Sequence, residues 1–331
     1  MKKRSKLKKV LKVLGCIVLV LAVFLVVINL IPPKKVTENN PFIKEEGELP
    51  MIAAHRGGGV SNPENTLMAY RAAVREIGIQ ICETDVWMTS DGHLVYNHDE
   101  TINRTACKEG EADVVIAEHT LAELRKYNMG YNFKDPDTGE YPYRDATEEE
   151  QDRLGLKIME FHELMEEFYD TNKELLFIVE IKNGGETGYQ AADIIDRTLT
   201  ERFPDYKNRI VIGTFHPEIE DDLRNDHPTL MRGGSTAGAG KFIITQLFGV
   251  NLFANVDFTC LQIPTSFKIA GIKLDLTRDT YIKRAHRRNM AVQYWTINEA
   301  DEMRMLIEKD VDAIMTDDPK LLKEVLKEYE K

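Results

Sequence analysis

From Met51 onward, short apolar runs of strand length alternate with amphipathic stretches of helix length, which restricts this part of the chain to an α/β domain on a mainly parallel sheet. Candidate strands lie at 51–55, 79–86, 93–98, 175–181, 209–214, 257–263, 290–297 and 312–316. Eight strands in one sheet predict closure into a barrel. Helical periodicity fits 64–77, 160–170, 188–202, 217–225, 278–288, 299–309 and 318–329, the first introduced by Asn62-Pro63-Glu64. Strands two and three break the alternation, because only Asp91-Gly92 separates them, a tight-turn signal too short for a crossover helix. The expected fold is therefore an irregular TIM (β/α)8 barrel over 51–331. An insertion at about 100–159 carries a short helix near 121–127 and an acidic loop, and reads as a lid or rim.

The first thirty residues stand apart. Met1 to Lys12 holds seven Lys/Arg, and Leu14 to Ile31 is almost wholly apolar and long enough to span a bilayer. A secretory signal has a shorter apolar core ending at small residues, whereas this one exits at Asn29-Leu30-Ile31-Pro32-Pro33, so an uncleaved anchor is preferred over a cleaved signal. The expected division is a basic cytoplasmic N-terminus at 1–12, a single transmembrane helix at 13–31 and a tether at 32–50. The positive-inside rule then leaves the N-terminus in the cytoplasm and puts the domain outside the cell membrane. Net charge is −12, and the domain without its basic leader is more acidic still, which argues against nucleic acid as a partner. Four cysteines form no disulfide framework: Cys16 is in the anchor, Cys82 in a buried strand, and a Cys107–Cys260 bridge has no support.

Glu83 and Asp85 are two apart on one strand, so both leave the same face, which in a barrel is the interior. Unpaired carboxylates are costly to bury, and oxygen donors suit Ca²⁺ or Mg²⁺; the bland alternative is a salt bridge to a neighbouring cation. Glu180 and Lys182 repeat the spacing on strand four, and every one of these charges sits at the exit of its strand, where barrel active sites assemble. His55 ends strand one and His98 ends strand three. A two-residue hairpin at Asp91-Gly92 would pair Ser90 with His93 and Asp85 with His98, bringing that imidazole beside the carboxylates. Two such histidines fit general acid and base roles. Arg56 and the glycines after it suit a phosphate, while Trp295 at the end of strand seven either walls the pocket or fills the core. The remaining histidines have no comparable setting, His216 alone among them lying near the end of strand five and so near the rim.

In combination these motifs are specific. His55-Arg56-Gly57, Pro63-Glu64-Asn65-Thr66, Glu83-Thr84-Asp85-Val86, Asp91-Gly92 and His98-Asp99 resemble the signature of the glycerophosphodiester phosphodiesterase family. Glu180-Ile181-Lys182, Trp295-Thr296-Ile297-Asn298 and Thr316-Asp317-Pro319 agree in order and approximate spacing, so the resemblance covers about 51–325. It implies a TIM barrel in which His55 and His98 are acid and base, Glu83, Asp85 and Glu180 bind a divalent cation, and Arg56 and Lys182 steady the phosphoryl charge. Some membrane-anchored members from Gram-positive bacteria have a similar layout.

The expected function is metal-dependent hydrolysis of glycerophosphodiesters to an alcohol and glycerol 3-phosphate. Two alternatives stay open: a lysophospholipase D acting on lysophospholipids, and a non-catalytic barrel binding phosphodiesters at the cell surface. The unusually apolar Lys241 to Phe253 segment reads as an ordinary barrel helix in preference to a surface that meets lipid.

Overall fold

Among the described residues eleven strands organise the domain, and residues with small or β-branched side chains dominate the parallel ones, as a sheet buried on both faces requires. In chain order they are β1 (Met51–Ala54), β2 (Ile81–Met88), β3 (Leu94–Tyr96), β4 (Leu176–Ile181), β5 (Ile210–Thr214) and β6 (Met231–Arg232). There follow β7 (Cys260–Ile263), β8 (Ser266–Ile269), β9 (Ile272–Asp275), β10 (Ala291–Tyr294) and β11 (Ala313–Thr316). The computed structural model describes residues 2–269 and 271–330; Met1 and Lys331, the outer ends of two expected segments, lie outside the described residues.

Eight strands pair in parallel in the order β6-β5-β4-β2-β1-β11-β10-β7. The ring closes between β6 and β7 through a bridge from Gly233 to Cys260, flanked by Thr259 N–H to Arg232 O at 2.7 Å and Gly234 N–H to Cys260 O at 2.8 Å. The expected barrel is therefore present, but its eight strands differ from the eight read in the sequence. The expected strand at 93–98 shortens to β3, which pairs antiparallel with β2 outside the ring. Its place is taken by the two-residue β6, too short for an alternation pattern to show.

The hairpin register also differs by one. Thr89 N–H donates to His93 O at 2.9 Å, so Ser90-Asp91-Gly92 is a three-residue loop with Gly92 at φ +83° in the left-handed position that such loops require. Asp85 consequently faces Asn97, whose N–H donates to Asp85 O at 3.1 Å, and not His98. A second hairpin, β8–β9, rises after β7 where the sequence reading had only a connection to the next helix.

Alternation along each strand sorts the core into two layers. Cys82, Val86, Val179 and Ile212 point outward and pack beneath the surrounding helices. Ala53, Ile81, Leu176, Val211, Ala291 and Ala313 point inward and fill the lower barrel, where Phe42, fully buried, plugs the floor. The expected tether is thus a packed strap: Val36 N–H donates to Arg288 O at 2.8 Å, and Asn40 Nδ2 donates to Thr259 O at 2.9 Å and Asn289 O at 3.0 Å. Its apolar residues, the fully buried Phe42 and the partly buried Val36, Ile43 and Leu49, follow no helix or strand period, which is why the segment reads as a linker.

The 100–159 insertion has its own small core of Ile102, Ile116, Leu124 and Ile158, which packs on Val95 of β3 and so fastens to the β2–β3 hairpin. Capping boxes at Thr120/Glu123 and Thr147/Glu150 start two of its helices. At the other end of the chain, α1 (Lys2–Leu30) is continuous through the expected basic and apolar segments, and Lys9–Leu30 is long and apolar enough to cross a membrane. Its last turns rest on the barrel: Asn29 Nδ2 donates to Gly249 O at 2.7 Å, Arg284 Nη2 to Asn29 Oδ1 at 3.0 Å, and the rings of Phe24 and Phe253 stack at 6.5 Å. All four cysteines are free.

Candidate active site

The upper half of the barrel interior changes from apolar to charged because the inward positions of β2 and β4 continue as Glu83, Asp85, Glu180 and Lys182. Parallel register places Asp85 directly beside Glu180. Lys182 lies between them, its Nζ 2.9 Å from Asp85 Oδ1 and 2.8 Å from Glu180 Oε1. On the far side of Asp85 comes Arg56, with Nε 3.6 Å from Oδ2. Arg56 adopts φ +53°, a conformation few side chains accept, and its backbone N–H donates to Glu83 Oε2 at 3.0 Å. The next residue must be glycine: at φ +82° a Cβ on Gly57 would lie 2.9 Å from the Ala69 Cβ.

Each of the two expected histidines is held at Nδ1 by its own carboxylate. His55 Nδ1 is 2.5 Å from Asp317 Oδ1, while Nε2 points toward Glu83 at 3.9 Å. Asn298 completes this arm, its Nδ2 donating to Asp317 Oδ2 at 2.7 Å while its Oδ1 accepts Asp317 N–H at 3.0 Å. His98 Nδ1 is 2.7 Å from Asp99 Oδ1; Asp99 Oδ2 in turn accepts from Arg104 Nε at 2.6 Å. Arg104 grips Glu64 with both terminal nitrogens, at 2.6 and 2.7 Å, and Glu64 reaches Arg56 Nη1 at 3.4 Å. A chain of alternating charges therefore links His98 to Arg56 across the rim.

Electrostatics follow from this packing. Burial pushes the Glu83 carboxyl up to about 7, against the pull of His55 and with the help of the Asp85 and Glu180 charges. Burial also raises Glu180, opposed by Lys182. For His55 burial works downward, but Glu83 and the Asp317 hydrogen bond outweigh it and raise the imidazole. His98 is lowered, by burial first, with Asp99 opposing. Lys182 is raised because its two carboxylates overcome the cost of burial.

The donor set suits a hard cation, though the side chains are not drawn together around one. Among the described residues no three His, Cys, Asp or Glu side chains are clustered closely enough to hold an ion. Yet Asp85 Oδ2 is buried with no hydrogen-bond partner, and Glu83 is a carboxyl in want of positive charge, so the oxygen chemistry fits a divalent cation.

All eight residues singled out in the sequence line one cavity of about 470 Å³: His55, Arg56, Glu83, Asp85, His98, Glu180, Lys182 and Trp295. Trp295 stands as a wall, edge-on to Phe215 at 6.3 Å. His216 does not line it; its Nε2 is 3.0 Å from Lys182 O, at the base of the lysine. Sequence reasoning missed the orienting roles of Asp317, Asn298, Asp99 and Glu64, although all four stand within the quoted motifs, and it missed Arg104, for which no motif or periodicity offers a signal.

The strand exits of this parallel barrel, where active sites of the fold assemble, thus carry two carboxylate-held imidazoles above acidic and cationic side chains. Residues 55–321 match the model of the "Glycerophosphoryl diester phosphodiesterase family". A glycerophosphodiester phosphodiesterase from Caldanaerobacter subterraneus subsp. tengcongensis is 27% identical over 278 residues, 82% of this chain and 96% of that protein. The glycerophosphoryl diester phosphodiesterase domain of a Mycobacterium tuberculosis protein superposes with a TM-score of 0.67 at 17% identity, covering 84% of this chain and 99% of that one. An Oleispira antarctica phosphodiesterase, solved in complex with the product sn-glycerol-3-phosphate, gives a TM-score of 0.60 at 20% identity over 84% of this chain and 97% of its own. The chain belongs to the glycerophosphoryl diester phosphodiesterase family and is a phosphoric diester hydrolase.

Proposed function

We propose that this site hydrolyses glycerophosphodiesters to an alcohol and glycerol 3-phosphate, with His55 and His98 as the acid–base pair. The supporting observation is that both imidazoles line one cavity with their Nδ1 atoms held by separate carboxylates, which leaves each Nε2 as the nitrogen free to exchange a proton. One histidine takes the proton of the attacking glycerol 2-hydroxyl as the new oxygen–phosphorus bond forms. The other gives a proton to the head-group oxygen as its bond to phosphorus breaks. Water then opens the resulting cyclic phosphate with the two roles exchanged. Arg56 and Lys182 offset the charge that gathers on the phosphoryl oxygens. Glu83, Asp85 and Glu180 would hold a divalent cation, Ca²⁺ or Mg²⁺, which supplies positive charge for those oxygens and acidifies a bound hydroxyl. Trp295 shields the glycerol from bulk water.

We place this domain on the outer face of a cell membrane, anchored by Lys9–Leu30 with the basic N-terminus in the cytoplasm. The length and composition of the helix and the seven Lys/Arg before residue 13 support that orientation. Protease treatment of intact cells should release the domain, whereas a cytoplasmic domain would be protected.

Catalysis is tested with the whole chain in lipid nanodiscs and glycerophosphocholine as substrate, with Ca²⁺, with Mg²⁺ and with chelator. Choline release that needs a cation and is lost in both His55→Ala and His98→Ala is expected. Absence of turnover under every condition would favour the binding protein considered above.

A further inference from the structure

Lys182 stands one residue beyond the end of β4, where the backbone ladder that fixes the strand has run out. The last paired residues of β4 and β5 are Ile181 and Thr214. Past that pair the β5 chain turns into the helix Pro217–Asn225, whose first residue has no N–H to offer. Side chains take the carbonyls left over on β4. Thr214 Oγ1 donates to Ile181 O at 3.1 Å, and His216 Nε2 lies 3.0 Å from Lys182 O. A carbonyl only accepts, so this Nε2 carries the proton.

The imidazole is itself set in place. Its Nδ1 lies 3.6 Å from Glu218 Oε1, and the same oxygen accepts Gly185 N–H at 3.2 Å. A Cβ on Gly184 would lie 2.6 Å from His216 Nδ1, so glycine leaves the room that the ring occupies. On the opposite side the turn is tied to β2: Lys182 N–H donates to Val86 O at 3.1 Å, and Asn183 Oδ1 accepts Met88 N–H at 2.8 Å. One flank of 182–185 is therefore held by β2, and the other by His216 with Glu218. A lysine delivers its charge through a flexible four-carbon stem, so the aim of Nζ depends on where the backbone beneath it is fixed. Here Nζ has to stay between Asp85 and Glu180, at 2.9 and 2.8 Å.

We propose that His216 is a positioning residue for the phosphodiesterase reaction: by holding Lys182 O it aims the amine that faces the phosphoryl group, without itself lining the cavity. This rests on the role given to Lys182 above. The rival reading is that His216 and Glu218 only fasten the start of their own helix, in which case the loss on removing the imidazole does not depend on Lys182.

Two amides separate the readings. Glutamine carries its side-chain nitrogen near the place of Nε2 and still donates to Lys182 O, whereas asparagine reaches only to the place of Nδ1. His216→Gln, His216→Asn, Lys182→Met and His216→Asn/Lys182→Met are compared with wild type as whole chains in nanodiscs. Glycerophosphocholine turnover and calorimetric affinity for glycerol 3-phosphate are both measured. Lys182→Met should lower kcat about 10²- to 10³-fold, as removal of a charge-stabilising donor does. His216→Asn should lower it about 10- to 100-fold through misplacement of that donor, and His216→Gln should stay within about threefold of wild type. The double variant should match Lys182→Met within about twofold, because the brace has nothing to aim once the amine is gone. Product affinity should follow the same order. Melting temperatures of the His216 variants should stay within about 4 °C of wild type, since one partly exposed hydrogen bond is at stake.

The same fold loss from His216→Asn with and without Lys182, equal behaviour of the two amides, or an unchanged rate in His216→Asn would overturn the proposal. An unchanged rate in Lys182→Met would overturn it together with the role of that lysine. If wild type turns over no phosphodiester, product affinity decides. Affinity lost in His216→Asn and restored in His216→Gln would keep the brace and remove the catalytic reading, and any other pattern would remove both.

Discussion

Arg104→Ala should cost activity far more than stability. Arg104 makes three short charge-assisted hydrogen bonds, one to Asp99 and two to Glu64, but its side chain is 47% exposed. Solvent screening limits such pairs to a total of about 1 kcal/mol, a fall in melting temperature of about 2–4 °C for a domain of this size. The catalytic consequence follows a different route. Without Arg104, Asp99 loses the partner on its second oxygen, and the imidazole it holds is free to tilt. A displacement of about 1 Å at an acid–base group costs on the order of 10- to 100-fold in rate, equivalent to about 1.4–2.7 kcal/mol. Because Arg104 does not line the cavity, kcat should fall while KM for glycerophosphocholine changes little. Initial rates of choline release alongside thermal melts measure both. Asp99→Asn should produce a similar loss, and the double variant little more, since both break one link. Additive losses, or more than about half the wild-type rate retained in Arg104→Ala, would refute the reasoning.

Asp317→Asn keeps the shape of the His55 arm but presents an amide where the imidazole Nδ1–H needs an acceptor, so kcat should fall about 10²- to 10⁴-fold; an unchanged rate would remove Asp317 from the machinery. Phe42→Ala empties the floor of the barrel and should destabilise by about 3–5 kcal/mol, seen as a melting shift of about 2–4 °C per kcal/mol; a shift below 2 °C would mean that the strap contributes no stability. His286, whose Nε2 lies 2.8 Å from Asp312 Oδ2, has its pKa raised, because that hydrogen bond overcomes the opposing effect of burial. A raised imidazole contributes its stability in full below the unfolded value of 6.5 and loses it as pH climbs through the folded pKa. The stability advantage of wild type over His286→Gln should therefore be greatest near about pH 6 and shrink toward about pH 9; an advantage that grows with pH would contradict the assignment.

Much of this molecule could be read from residue order. Spacing of two put Glu83 with Asp85 and Glu180 with Lys182 on single faces, and the structure brings all four into one cavity with His55 and His98. The alternation of strands and helices foretold the barrel, and the basic and apolar leader foretold a helix long enough for a membrane. Those properties are local: periodicity states which way a side chain leaves the backbone, whatever the rest of the chain does. The counted strands failed where locality failed. β3 resembles a barrel strand until its pairing is known, and β6 has two residues, too few for any pattern.

Only tertiary structure decided which group serves which. His55 and Asp317 are 262 positions apart and meet because β1 and β11 become neighbours when the ring closes. Arg104 comes from the insertion and Phe42 from a strap that shows no periodicity. A linear sequence records the direction of each side chain, but the partner it meets depends on chain closure over distances that no local repeat encodes.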